Sequence, residues 1–172
     1  FQAEDGIRDF CLSRGLGDVY KRQQLEPYRI IVTGRIKQFI SAFGEHVIAK
    51  EVETTIKEVS SKLNLKVREF TVAPQVSPKA GLPFHEWFIE FDEINDNLDK
   101  IEGIMDKIMQ RQNIYYKDLI QGKILSPLRI KKIKKGGFNL FMKSVGKLGG
   151  QNKVPHLSND RKIANQLKNY TI

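Results

Sequence analysis

The chain has 172 residues, is 40% hydrophobic and 28% charged, and carries a formal net charge of +9. That size suits one domain or little more, the composition is too apolar for a disordered chain, and no apolar stretch approaches the ~20 residues a membrane-spanning helix needs. One cysteine excludes an internal disulfide and a structural zinc site, and the chain does not open with a signal peptide's basic start and long apolar core, so a reducing, cytoplasmic setting is expected.

Residues 1–23 show no helical or strand period. Gln2 to Asp9 (QAEDGIRD) resembles a translated sequencing-library adapter, and Ser13 to Gln23 (SRGLGDVYKRQ) resembles a translated transposase adapter end. The segment is therefore set aside as artefactual. It contains the lone Cys11, and its four basic and four acidic residues cancel. The remainder is expected to be the C-terminal piece of a longer protein, cut at Gln24.

Tyr28–Thr33 (YRIIVT) is short and rich in β-formers, so it predicts a strand, with Ile36–Ile40 as its hairpin partner after Gly34. Ala49, Val52, Ile56, Val59 and Leu63 recur at helical spacing and predict an amphipathic helix over 48–63. Leu65 to Val72 predicts a strand. Pro74, Pro78, Gly81 and Pro83 mark a loop, and Phe84–Phe91 (FHEWFIEF) predicts a largely buried strand. Asp96–Gln110 predicts a second amphipathic helix, with Leu98, Ile101, Ile104, Met105 and Ile108 inward, and 113–121 a short third one. Leu128–Ile133 alternates apolar and basic residues, as a half-buried strand does. A helix over Phe138–Val145, a glycine-rich loop (Gly146–Lys153) and a last helix capped by Ser158 complete the chain. The order predicts an α+β domain, a small mixed β-sheet packed with helices.

Charge is unevenly spread. Residues 121–172 hold twelve Lys and Arg against one acid, Asp160, while residues 24–120 carry a net −2. A basic end of this kind favours a phosphate-bearing or otherwise anionic partner. Catalytic constellations are sparse. His46, His85 and His156 lack metal-ligand spacing, no metal site is expected, and no phosphate-binding G-x-x-x-x-G-K-[ST] run exists. His85 and Glu86 would point to opposite faces of a strand.

Gly34 to Glu53 (GRIKQFISAFGEHVIAKEVE) resembles the hinge motif of the adenylate-forming superfamily, in Gly34-Arg35, Lys37, Phe39-Ile40, Gly44-Glu45 and Glu51-Val52-Glu53. FTVAPQ (Phe70–Gln75), LPFHEWFIEF (Leu82–Phe91), YYKDLIQGKIL (Tyr115–Leu125), the KKGGF run (Lys134–Phe138) and KSVGKLGGQNKVPHLSNDRKI (Lys143–Ile163) are similar to one family within it. That family is the auxin-responsive promoter (Gretchen Hagen) proteins, the acyl-acid amido synthetases, in a bacterial version. The resemblance covers residues 26–165.

It implies an ATP-dependent ligase that adenylates a carboxylic acid and passes the acyl group to an amine, typically of an amino acid. ATP and Mg2+ would be bound mainly by a missing N-terminal domain. Residues 24–37 would be the hinge and first strand, and residues 38–172 the mobile C-terminal lid. Within the lid, Lys153 stands where the superfamily's C-terminal catalytic lysine is expected, with Lys147 as the substitute. Lys37 would be the hinge pivot and Arg35 would lie close to the nucleotide. The resemblance gives His156 no role.

A second reading is a stand-alone basic module for RNA or DNA. It rests on the charge of the last 52 residues. Against it, aromatic residues interleaved with the basic ones are few (Phe138, Phe141 and Tyr170), whereas stacking platforms need more.

Overall fold

The computed structural model describes residues 18–25 and 28–35 as backbone, and residues 39–94, 97–147, 149 and 152–172 with their side chains. Strands β1 (Asp18–Leu25) and β2 (Tyr28–Arg35) form an antiparallel pair. Two corrections follow. Residues 18–23, read as lacking a strand period, belong to β1. The partner of β2 is β1 rather than Ile36–Ile40. β1 matches β2 in length and pairs along it, from Asp18 opposite Arg35 to Leu25 opposite Tyr28. Phe39–Ile40 (β3) instead pairs with Val47–Ile48 (β4) across a tight turn. Residues 36–38 lie outside the described residues.

The centre of the domain is a three-stranded mixed sheet. β5 (Lys66–Gln75) runs antiparallel to β6 (Phe84–Glu93), and β6 runs parallel to β7 (Arg129–Ile133). Alternate residues of a strand point to opposite faces, so each strand feeds two cores. Toward helices α1 (Ala49–Leu63) and α2 (Leu98–Gln112), the sheet presents Phe70, Val72, Trp87, Ile89, Phe91 and Ile130. These meet Val52, Ile56 and Val59 of α1 and Ile101, Met105, Ile108 and Met109 of α2. Toward helices α4 (Gly137–Ser144) and α5 (Lys162–Leu167), it presents Ala73, Phe88 and Ile133, which meet Phe138, Phe141, Met142, Ala164 and Leu167. Helix α3 (Ile114–Gln121) follows α2 directly. A fully buried Leu, Ile, Phe or Met side chain contributes roughly 1.5–3 kcal/mol, so both faces matter to stability. No described helix is long and apolar enough to cross a membrane.

The last helix starts later than expected. Ser158 does not cap it; α5 begins at Lys162, whose amide donates to Asp160 Oδ1 at 3.0 Å. Ser158 is drawn away because its own amide donates to the Val72 carbonyl at 3.0 Å. Residues 156–158 thereby lie along the outer edge of β5, with the Val72 amide donating to the His156 carbonyl at 3.0 Å and Val72 bridging Leu157.

Candidate functional site

His85 and Glu86 show how β6 sorts polar groups. His85 points toward α1 and α2, where its Nε2 lies 3.0 Å from Glu45 Oε1. Glu86 points the other way and pairs with Arg161. Glu45 also accepts from the Ala42 amide at 3.2 Å and the Phe43 amide at 2.7 Å, closing the β3–β4 turn. Burial alone would raise the Glu45 carboxyl, but the hydrogen bonds from His85 and backbone amides together hold it below the usual range. Asn113 completes this cluster by donating to the Glu45 carbonyl at 2.9 Å and accepting from the Tyr116 amide at 2.8 Å. The cluster is closed and buried, and it joins the β3–β4 turn to the start of α3.

The opposite face is open. A cleft of about 320 Å³ lies between the β5–β6 ladder, α4 and the loop that follows α4. Its wall on the sheet is Arg68, Glu69 and Glu90. Phe138 and Met142 of α4 and Val154 of the loop supply apolar surface. Lys147, Gly149, Asn152 and Lys153 form the rim. Both candidate lysines therefore reach one cavity, although they are six positions apart in sequence. The loop can fold back this way because Gly149 has φ +98°, a left-handed conformation that glycine adopts without strain. At its start, the Lys147 amide donates to the Met142 carbonyl at 2.9 Å.

The cleft carries three cations, Arg68, Lys147 and Lys153, and two carboxylates, Glu69 and Glu90, with Arg68 Nε 3.7 Å from Glu90 Oε1. Glu90 is buried, and both of its oxygens accept from backbone: Gly136 N at 2.7 Å and Phe138 N at 3.1 Å. It thus caps the N-terminal end of α4, where a negative charge is stabilising. Arg68 is drawn toward Asp92, with Nε donating to Oδ1 at 2.8 Å. Lys147 and Lys153 are exposed, and neither ammonium has a partner among the described residues. Two free ammonium groups beside an apolar floor can bind an anion such as a phosphate.

Of the other residues singled out in the sequence, Arg35 ends β2, and Lys37 lies outside the described residues. So do Leu148, Gly150 and Gln151 of the glycine-rich loop. Phe138 and Phe141 are buried core rather than exposed platforms, which weakens the nucleic-acid reading further. Among the described residues, no group of three or more His, Cys, Asp or Glu side chains could hold a metal ion.

Sequence reasoning missed the sheet wall of the cleft and the surroundings of His156. Its Nδ1 lies 2.9 Å from Glu53 Oε1 and its Nε2 3.6 Å from Glu69 Oε1, and its ring stacks on Phe70 with centroids 4.4 Å apart. No local signal announces this, because Glu53 is 103 positions away.

Residues 50–162 match the family model described as the GH3 family C-terminal domain. No curated protein matches the chain. Among solved structures, the chain is similar to a GH3.15 acyl acid amido synthetase, with a TM-score of 0.70 at 18% identity over 91% of this chain. It is also similar to AtGH3.15 acyl acid amido synthetase in complex with 2,4-DB, with a TM-score of 0.68 at 18% identity over 91% of this chain. At such identity the likeness is one of fold. The chain spans 31% of the length of the first synthetase and 30% of the second. With the family pattern running from residue 50 to residue 162 across this α+β frame, the chain belongs to the GH3 family and carries its C-terminal domain.

Proposed function

We propose that this chain is the closing C-terminal part of an ATP-dependent acyl-acid amido synthetase. The whole enzyme would join a carboxylic acid to the AMP part of ATP, releasing pyrophosphate, and then transfer the acyl group to an amine or amino acid, releasing AMP. The observation that carries this reading is the shared cleft of Lys147 and Lys153 on a GH3 C-terminal domain.

Attack of a carboxylate on the α-phosphate of ATP brings two anions together, and negative charge develops on the oxygens around phosphorus. A positioned ammonium lowers that barrier. Lys153 is assigned this role, with Lys147 as a second phosphate contact. Lysine suits the task as a compact charge on a long stem, and a mobile domain can bring it in for the first step and withdraw it for the second. Lys37 would be the pivot for that motion and Arg35 a nucleotide contact, with residues 24–37 as hinge and first strand and residues 38–172 as the lid.

An N-terminal domain would hold the acid and most of the ATP. Mg2+ would be held by that same N-terminal domain. An ATP-consuming ligase of this kind belongs in the cytoplasm.

The test is acid-dependent exchange between ATP and pyrophosphate in the full-length enzyme. Lys153→Ala should lower it by about 10²-fold or more, the scale on which a lost charge-stabilising group acts. Near-normal exchange would remove Lys153 from the mechanism, and loss in Lys147→Ala alone would transfer the role to Lys147. The 172-residue chain by itself should show no exchange.

A further inference from the structure

We propose that His156 is a positioning residue for Lys153, clamping the loop that carries this lysine to helix α1 and strand β5; the proposal rests on the role given to Lys153 above. Three sets of contacts converge on it.

The first is the imidazole itself. Glu53 of α1 faces Nδ1 at 2.9 Å, and Glu69 of β5 faces Nε2 at 3.6 Å. Phe70 covers one side of the ring. Only the doubly protonated ring can donate toward both carboxylates at once.

The second is the backbone around it. The Thr71 hydroxyl donates to the Pro155 carbonyl at 2.7 Å, the Val72 amide donates to the His156 carbonyl, and the Ser158 amide donates to the Val72 carbonyl. Val154 and Leu157 are buried on either side of His156. Lys153 is thus the exposed residue just before a pinned segment. Where its ammonium can reach depends on how firmly that segment is held.

The third is Glu69, which lines the same cleft as Lys153. An imidazolium beside Glu69 engages its charge and leaves the lysine available for a phosphate. Without that partner, the Glu69 carboxylate would compete with the phosphate for the lysine.

The charged groups facing His156 are therefore Glu53 from α1 and Glu69 from β5. Glu69 and, with it, Glu53 hold the imidazole above its ordinary value of 6.5, against the opposing effect of burial. The clamp is complete below that raised value and releases as pH rises through it.

The experiment compares four full-length proteins in acid-dependent ATP–pyrophosphate exchange from about pH 6 to about pH 9: wild type, His156→Gln, His156→Arg and Lys153→Ala. Wild type should lose activity on the alkaline side as the imidazolium deprotonates. His156→Gln should be slower by about 10-fold or more at neutral pH, a cost typical of a misplaced catalytic group, and should lack that alkaline step. His156→Arg, permanently charged, should recover rate and stay flat.

A His156→Gln profile identical to wild type, with Lys153→Ala inactive, would overturn the role of His156 and leave Lys153 standing. Wild-type exchange in Lys153→Ala would overturn the reading beneath it. If His156→Gln does not fold, an NMR titration of the His156 ring in the full-length protein decides. A midpoint above the ordinary value supports the clamp, and a midpoint at or below it overturns the clamp.

Discussion

On the α1–α2 side of the sheet, buried polar groups are tied to one another and to backbone; on the α4–α5 side, Glu90 is tied to backbone and Glu86 to Arg161, and Lys147 and Lys153 beyond them have no partner among the described residues. Asp106 shows the first pattern. Its carboxylate accepts from Tyr116 OH at 2.6 Å, Gln110 Nε2 at 2.6 Å and the Leu128 amide at 3.2 Å. Burial and the Asp106 carboxylate push the Tyr116 phenol well above its ordinary value, so it remains a donor. Among the described residues, the one buried side-chain donor or acceptor left without a partner is the Trp87 indole N–H.

Glu90 shows the second pattern. It uses both oxygens on the start of α4, while Lys147 and Lys153 across the cleft have no partner among the described residues. A closed network fixes geometry because each lost partner leaves a buried group exposed to the full desolvation penalty. Free, solvated cations cost little and remain available to a ligand. Both faces carry a core, but only the α4–α5 side has the open cleft with its two unpartnered lysines.

The sharpest way to break this contrast is Asp106→Ala. It strands the Tyr116 hydroxyl and the Leu128 amide in the core and should cost about 3–5 kcal/mol in urea unfolding. A loss under about 1 kcal/mol would show that this face is not the closed one.

On the open face, packing near the backbone is the weak point. A Cβ added at Gly137 would stand 2.4 Å from Ile133 Cγ2, with Lys134 Cγ and Tyr170 Cβ at 3.4 Å. Gly137→Ala should therefore cost about 1–3 kcal/mol through forced repacking, read from the same unfolding curves. An unchanged midpoint would mean that α4 slides freely and that the cleft has no fixed wall.

The smallest effect is one of slope. The Glu45 carboxyl titrates below its ordinary value of 4.5, so its contribution is present above that value and is lost as pH falls through the lowered one. Glu45→Gln should lose that contribution near neutrality and make the acid loss of stability shallower, so that the two proteins converge at low pH. An unaltered acid limb would detach Glu45 from the closed network.

Much of this fold was legible because periodicity reports burial. Val52, Ile56 and Val59 of α1 are buried as their spacing predicts, and Phe84 to Phe91 form a strand buried at every position. Strand pairing was less legible. The partner of β2 lies in residues 18–25, most of which resemble adapter sequence and show no strand period. Ser158 misled because its backbone amide is held on the edge of β5, which places the residue ahead of the helix it was fit to cap. In the cleft, Lys147 and Lys153 could be singled out by the resemblance to the adenylate-forming superfamily. Arg68, Glu69 and Glu90 could not, because they become neighbours of that loop only when β5 and β6 pair. His156 is the same case: its carboxylates come from two elements far upstream.

The segment along β5 has a counterpart on the opposite rim of the sheet. There the Lys134 amide donates to the Tyr170 carbonyl at 3.0 Å, the Ile172 amide donates to the Lys132 carbonyl at 3.0 Å, and Ile133 bridges Thr171. Bare strand margins are templates on which identical chains stack into aggregates. Here each outer strand is partly sheathed by a short length of its own polypeptide. A chain truncated after Asn169 would uncover the β7 margin and should self-associate, losing from the core beside α4 only the half-buried Tyr170.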